Sequence, residues 1–179
     1  MVSAQRQDGR PLAVLIGPPG AGKSTVGAHL ARLLGVSLHD TDAAVEEQAG
    51  KSIADIFVDD GEHHFRALEH EAVRAALDGH AGVLALGGGA PMTPETQEAL
   101  AGHTVVFLDV DITSAAPRIG FDTARPLLMI NPRGQWLGLM RVRRPVYEAL
   151  AVHHVDTSGR TPEEVAAEIR DLLEGAEES

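Results

Sequence analysis

The sequence of 179 residues contains no cysteine. Disulfide bonds, thiolate metal ligands and cysteine nucleophiles are therefore excluded, although cysteine usage alone does not separate oxidising from reducing compartments. The nine histidines include two adjacent pairs, but neighbours in sequence point apart on a helix or a strand. Because no histidine set has the spacing of a zinc site, we do not expect a histidine-based metal centre.

A long apolar run is also missing. No segment approaches the roughly 18 uncharged apolar residues that a membrane span needs. The polar start from Met1 to Arg10 lacks the apolar stretch of a secretory signal. We therefore expect a cytoplasmic protein with no membrane partner.

Positive charge is scarce, since 15 Lys and Arg face 26 Asp and Glu, which gives a net charge of -11. No block of basic residues appears that could follow a phosphodiester backbone, so we expect no nucleic-acid partner. An anionic ligand would need a local basic cluster. The length and the hydrophobic fraction of 44% fit one domain over residues 1–179.

The strongest motif is a complete G-x-x-x-x-G-K-S phosphate loop over residues 17–24. It follows the apolar run at residues 12–16, and apolar residues with helical spacing follow it, which predicts a strand, a loop and a helix. The backbone N–H groups of such a loop bind phosphate. Lys23 would reach the β- and γ-phosphates, and the Ser24 hydroxyl would reach Mg²⁺. A chance turn before a helix is the weaker interpretation.

Alternating strand and helix patterns predict a parallel α/β sheet. The further strands are predicted at residues 36–39, 83–86, 104–109 and 153–156. The further helices are predicted at residues 42–49, 52–59, 62–77, 94–100, 134–152 and 162–174. The last helix opens with a capping box from Thr161 to Glu164. Residues 120–133 show no period, and a loop of this size in a compact domain is typical of a lid.

Asp40-Thr41-Asp42 follows the second predicted strand, at the sheet edge where open α/β folds bind ligands. Its two carboxylates suit two tasks: one supports the Mg²⁺ shell, and the other orients or deprotonates a hydroxyl group that attacks phosphorus. The alternative that Asp42 only caps the next helix stays open.

Three glycines, Gly87 to Gly89, end another predicted strand and would offer bare N–H groups to an anion, unless they form only a flexible turn. Three arginines stand within local signatures: Arg66 in G-E-x-x-F-R, Arg125 in R-P-L-L, and Arg143 in R-x-P-x-Y. A single arginine is more often a surface residue, so these signatures matter through their combination.

These six motifs, in the order in which they occur along residues 12–162, resemble those of the shikimate kinases, small P-loop enzymes related in fold to nucleoside monophosphate kinases. The resemblance implies a three-layer P-loop NTPase fold with a central parallel five-stranded sheet flanked by helices. A mobile lid at about 120–133 and a substrate-binding helical region at about 42–70 are also implied. The implied reaction is ATP- and Mg²⁺-dependent phosphorylation of the 3-hydroxyl of shikimate, in chorismate and aromatic amino acid biosynthesis, by a monomer.

The resemblance also implies roles for single residues. Asp42 would bind the substrate hydroxyls and activate the nucleophile, and Asp40 would support Mg²⁺ beside Ser24. Arg66 and Arg143 would hold the substrate carboxylate through paired hydrogen bonds, with Arg144 as the alternative to Arg143. The remaining implied substrate residues are Phe57, Phe65, Gly87, Gly88 and Gly89. Both phenylalanines have core packing as their alternative, and Glu69 is placed to orient Arg66.

For the nucleotide, the resemblance implies catalytic roles for Lys23 and Arg125, the latter from the lid. Arg118 would stack on the adenine. The implied nucleotide-binding residues are Gly20, Ala21, Gly22, Lys23, Ser24, Thr25, Arg118, Arg125, Arg160 and Pro162. The strand that ends at Asp109 mimics a Walker B motif, but we expect Asp109 not to be catalytic.

Two other functions compete with this interpretation. A kinase of the same fold for another small molecule, such as a gluconate kinase, would share the phosphate loop but need other acceptor contacts. A regulatory module that binds nucleotide without turnover would be expected to have lost its acidic pair or the lid arginine. Asp40, Asp42 and Arg125 are all present.

Overall fold

In the computed structural model, residues 9–120 and 131–177 are described. Residues 121–130, which make up most of the predicted lid and include Arg125, lie outside the described residues. The strands are β1 (Ala13–Ile16), β2 (Leu38–Asp40), β3 (Val83–Ala85), β4 (Val105–Asp109) and β5 (His153–Asp156). The helices are α1 (Lys23–Leu34), α2 (Thr41–Ala49), α3 (Ile53–Asp59), α4 (Glu62–Gly79), α5 (Pro94–Leu100), α6 (Ile112–Ile119), α7 (Pro132–Leu150) and α8 (Pro162–Glu177).

The five strands form one parallel sheet in the order β2-β3-β1-β4-β5. The central strand β1 is apolar and fully buried, because helices flank the sheet and such strands meet no solvent. This arrangement confirms the predicted P-loop fold class. The carboxyl ends of the strands meet at one edge, where the phosphate loop and the three glycines follow their strands, and Asp40 and Asp109 are the last residues of theirs.

Strand β2 begins and ends later than the 36–39 predicted from the sequence, and it includes Asp40. The reason lies in the preceding turn, because Gly35 ends α1 in a left-handed conformation. The N–H of Val36 then donates to the carbonyl of Ala31 at 2.9 Å and is used by the helix end. Pairing with β3 therefore starts at Leu38 and runs to Asp40.

Helix α6 was not predicted, although its signals are present in the sequence. Asp111 caps it by accepting a hydrogen bond from the Ser114 N–H at 2.7 Å, and Gly120 ends it in a left-handed conformation. Pro117, which argues against a helix interior, lies in the last turn. The apolar spacing Ile112, Ala115, Ala116 and Ile119 is the signal that could have identified it.

Helix α7 begins at Pro132 and ends at Leu150, two residues earlier at each end than predicted. Asn131 caps it, its side chain accepting from the Gly134 N–H at 3.1 Å, and proline suits the first helical position. Pro132 and Arg133 therefore belong to a helix and not to the predicted lid. The capping box of α8 is confirmed by reciprocal Thr161 and Glu164 hydrogen bonds of 2.9 and 3.2 Å.

Two apolar cores hold the molecule together. The larger one surrounds the sheet. The smaller one lies among α2, α3 and α4, which cover the predicted substrate-binding region, and its buried members are Val45, Ile56, Phe65 and Ala72. Over residues 9–120 and 131–177, no helix is long and apolar enough to cross a membrane.

Candidate active site

The phosphate loop joins β1 to α1, and Gly22 is the N-cap residue of α1. Because glycine has no side chain, Gly22 leaves the first N–H groups of α1 for an anion, at the positive end of the helix dipole. Lys23 lies across the loop, its Nζ donating to the carbonyls of Gly17 at 2.7 Å and Pro18 at 3.1 Å. Burial lowers the Lys23 pKa to about 8, although Asp42 and Asp40 act against this shift.

The Asp40 carboxylate accepts hydrogen bonds from three groups. Its Oδ2 accepts from the Ser24 hydroxyl at 2.5 Å, and its Oδ1 accepts from the N–H groups of Asp42 at 2.9 Å and Ala43 at 3.4 Å. Asp40 is therefore the residue that caps α2, and the alternative that Asp42 is the cap is wrong. Ser24 and Asp40 present the hard oxygen ligands that suit Mg²⁺.

No group of three or more His, Asp or Glu side chains that could hold a metal ion occurs within the described part of the chain. A magnesium ion at the oxygens of Ser24 and Asp40 would share its coordination with phosphate oxygens and water. This is the usual way in which proteins bind Mg²⁺ together with a nucleotide. The pair thus fits a nucleotide-linked cation and not an independent metal centre.

Asp42 lies next to the backbone of Gly87, so closely that a Cβ atom at Gly87 would collide with the Asp42 Oδ1. Burial raises the pKa of Asp42, the negative charge of Asp40 raises it further, and Lys23 and Arg66 oppose this. A carboxylate with a raised pKa is a stronger base than one in water. The side chain is therefore suited to accept a proton from a hydroxyl group.

Arg66 and Glu69 form a partly buried ion pair on α4. The Arg66 Nη1 lies 2.7 Å from the Glu69 Oε1, and the Glu69 side chain is only 3% exposed. Burial raises the Glu69 pKa against the effect of Arg66. The guanidinium also lies against the backbone of Gly89, where a Cβ atom would come within 2.6 Å of both terminal nitrogens. Arg66 is thus held in place from two sides.

The two neighbouring arginines of α7 face different parts of the molecule. Arg143 lines a cavity beside the three glycines, with its Nη1 next to Gly88. Arg144 instead binds Asp109 through two hydrogen bonds of 2.6 and 2.9 Å. The geometry therefore favours Arg143 over Arg144 as the ligand of an acid in that cavity.

This acid cavity has a volume of about 200 Å³. All the predicted substrate residues line it, together with Pro19, Ile53 and Glu69. The ring centroids of Phe57 and Phe65 are 4.8 Å apart; Phe65 also belongs to the smaller core, whereas Phe57 is 38% exposed. Ile53 was missed, although it stands one helical turn before Phe57 on the same helix.

A second cavity of about 420 Å³, called the nucleotide cavity below, adjoins the phosphate loop. All the predicted nucleotide residues that the structure describes line it, as do Asp40 and Asp42. The sequence analysis missed four other residues of its wall, namely Val26, Leu86, Thr157 and Val165. Asp42 lines both cavities. A phosphoryl group could therefore pass between two ligands beside this carboxylate.

Arg118 lies at the wall of the nucleotide cavity and links two of its loops. Its guanidinium donates to the Gly20 carbonyl at 3.1 Å and to the Thr157 hydroxyl and carbonyl at 3.1 and 2.9 Å. Arg160 bonds the Asp156 carbonyl at 2.9 Å and the Glu168 carboxylate at 2.6 Å. Stacking of Arg118 on a base stays a prediction.

Comparison with known proteins agrees with these motifs. A family model described as shikimate kinase matches residues 19–174. A shikimate kinase of Thermobifida fusca is 58% identical over 93% of this chain and 97% of its own length. One of Salinispora arenicola is 55% identical over 91% of this chain and 98% of its own length.

Solved structures give the same answer. Shikimate kinase from Acinetobacter baumannii in complex with shikimate matches with a TM-score of 0.86 at 34% identity, over 93% of this chain and 94% of that one. Shikimate kinase from Aquifex aeolicus matches with a TM-score of 0.75 at 33% identity, over 92% and 96%. The sequence motifs, the two adjoining cavities and these matches together establish that the chain belongs to the shikimate kinase family of ATP-dependent phosphotransferases.

Proposed function

We propose that this chain phosphorylates the 3-hydroxyl group of shikimate and that the transfer takes place beside the Asp42 carboxylate. The observation that carries this proposal is that Asp42 lines both the acid cavity and the nucleotide cavity. A substrate in one cavity and a nucleotide in the other would therefore meet at this carboxylate. Phosphoryl transfer depends mainly on positioning and on electrostatic stabilisation, and the two cavities supply the positioning.

Arg66 and Arg143 hold the substrate carboxylate. Two guanidinium groups in the acid cavity offer planar pairs of N–H donors, which match a planar carboxylate. Glu69 fixes Arg66 through the 2.7 Å contact. Phe57 and Phe65 pack on each other and form an apolar wall for the substrate ring, and the backbone of Gly87 to Gly89 lines the same cavity.

Asp42 orients the attacking hydroxyl and takes its proton. The raised pKa of Asp42 brings its basicity closer to that needed for proton transfer, because the best catalytic groups have a pKa near the working pH. Asp40 leaves Asp42 available for this role, since Asp40 already caps α2.

On the nucleotide side, Lys23 and the N–H groups at the start of α1 bind the β- and γ-phosphates. Ser24 and Asp40 would hold Mg²⁺. When bound, this ion would supply positive charge that neutralises part of the phosphate charge. Arg125, which lies outside the described residues, is proposed to add positive charge to the transferring group. Arg118, Arg160 and Pro162 bind the base.

The composition also bears on the partners of the protein. With a net charge of -11 and no basic block, we expect neither a nucleic-acid nor a membrane partner. A monomer of one domain in the cytoplasm remains the prediction. The lid at 120–133 now keeps only the part before Pro132, because α7 begins there.

The reaction is tested by coupled measurement of ADP release with MgATP and three matched acceptor conditions: shikimate, gluconate and none. We expect turnover with shikimate alone. Turnover with gluconate would contradict the assignment of the acid cavity, because gluconate has no ring for the phenylalanine wall to contact. ADP release that is independent of acceptor would show uncoupled hydrolysis, and no release under any condition would favour a regulatory module.

The pH dependence of ATP binding should report Lys23. Its pKa of about 8 means that the ammonium is charged below pH 8 and loses its proton above it, so attraction for phosphate weakens as pH rises through 8. We expect kcat/KM for ATP to fall above this pH. Lys23→Arg, which stays charged over the same range, should abolish the fall. A profile that is flat from pH 7 to 9.5 in the parent chain would contradict the prediction.

A further inference from the structure

Helix α7 must place Arg143 accurately, because a paired hydrogen bond tolerates only small displacements. The neighbouring Arg144 points away from the acid cavity, since successive helical residues are about 100° apart around the axis. It meets Asp109 at the carboxyl end of β4. A contact that fixes Arg144 therefore also fixes the rotation of the helix that carries Arg143.

Asp109 is bound from three directions. Its two oxygens accept hydrogen bonds from the two terminal nitrogens of Arg144. Its Oδ2 also lies 3.0 Å from the His154 Nε2, and its Oδ1 accepts a hydrogen bond from the Val110 N–H at 2.8 Å. Burial acts to raise the pKa of Asp109, but hydrogen bonds from Arg144 and His154 hold it below the ordinary value. Paired, charge-assisted contacts of this kind are stronger than neutral ones. Asp109 thus joins α7 to the central part of the sheet.

The contact lies where α7 is weakest. Pro145 is inside the helix, so the backbone bond from residue 145 to residue 141 is missing. Proline also disfavours the helical conformation of the residue before it, and that residue is Arg144. A side chain that is anchored at this position offsets what the backbone lacks.

The anchor continues into the wall of the acid cavity. The Arg144 Cζ lies 5.9 Å from the centre of the Phe107 ring, and that ring packs against Tyr147 with centroids 5.1 Å apart. The Tyr147 hydroxyl donates to the carbonyl of Gly88 at 2.6 Å. Near its start, α7 is held separately, because the Trp136 Nε1 donates to the Pro19 carbonyl at 2.9 Å. Arg144 stands between these two fixed points.

We propose that Asp109 is a positioning residue, which holds Arg144 and thereby sets the direction of Arg143 toward the carboxylate of shikimate. This proposal rests on the proposed role of Arg143. It gives the acidic residue of the Walker B-like strand a task on the acceptor side of the site. No proton or phosphate contact of Asp109 itself is required.

The test compares Asp109→Ala, Arg144→Met, Arg143→Ala and the double variant Asp109→Ala with Arg143→Ala. We expect Asp109→Ala and Arg144→Met to raise the KM for shikimate by about tenfold, the size of coupling seen between residues in contact. The kcat and the KM for ATP should change by less than about twofold, as when only shared ground-state binding is lost. In the absence of Arg143, removal of Asp109 should add nothing.

Arg170→Met is the matched control, because Arg170 forms an exposed ion pair with Asp171 on α8, far along the chain. An unchanged shikimate KM in Asp109→Ala, with only a lower melting temperature, would overturn the proposal. So would full additivity in the double variant, or a loss confined to kcat and ATP. If Asp109→Ala does not fold, Asp109→Asn and Arg144→Lys are measured by the same criteria. An unchanged KM in Arg143→Ala would instead contradict the carboxylate role.

Discussion

Asp42→Asn should lower kcat by about a thousandfold, within the range that a general base contributes, while the affinity for MgATP changes little. Asparagine keeps the shape of the side chain but cannot take a proton. The change removes the repulsion between Asp42 and Asp40 and also the attraction between Asp42 and Lys23, and these contributions to the site oppose each other. Single-turnover rates and the dissociation constant of MgATP separate the two effects.

Asp55→Asn is the matched control, since Asp55 is an exposed carboxylate on α3 outside both cavities. It should turn over like the parent chain. If Asp42→Asn keeps its turnover, Asp42 is neither the base nor the residue that orients the hydroxyl. If MgATP binding is lost as well, the substitution has disturbed the loop and the assignment of Asp42 to proton transfer lacks support.

Arg66→Ala should have two effects with separate causes. The KM for shikimate should rise by about a hundredfold, because truncating one partner of a desolvated charge pair commonly costs this much or more. The free energy of unfolding should fall by about 2 kcal/mol, less than for a fully buried pair because the arginine is partly exposed. The second effect comes from Glu69, which stays buried without its partner.

The double variant Arg66→Ala with Glu69→Gln separates these effects. A neutral glutamine removes the unpaired charge, so most of the lost stability should return, whereas shikimate binding should stay weak. Arg74→Ala, at an exposed arginine on the same helix, should change neither quantity. Recovery of the shikimate KM in the double variant would contradict direct binding by Arg66. Thermal unfolding and acceptor titration provide the two measurements.

The sequence was sufficient for the phosphate loop because all of its information is local: an apolar strand, three glycines and the lysine follow one another directly. It was also sufficient for the sheet, which is confirmed. The separate roles of Asp40 and Asp42 could be predicted only in part from the sequence. Which of them caps α2 depends on where β2 ends, and the structure extends β2 to Asp40, one residue beyond the predicted end.

Contacts between distant residues were not readable. Asp109 and Arg144 are separated by 35 positions, and each is an ordinary charged residue in its own segment. The sequence showed only that the basic position was doubled. Helix α6 shows the opposite error, since the Asp111 cap, the apolar spacing and the terminal Gly120 were all present as local signals but did not lead to a prediction.

The smaller core among α2, α3 and α4 includes the Phe65 ring, which also lines the acid cavity. This ring is therefore shared between the protein's interior and the wall of the cavity. Shikimate in the cavity would extend the small core and so tighten these helices, while the sheet gains little. The amide protons of the three helices would then become protected from exchange on acceptor binding. The substrate would stabilise this part of the folded chain by completing its apolar packing.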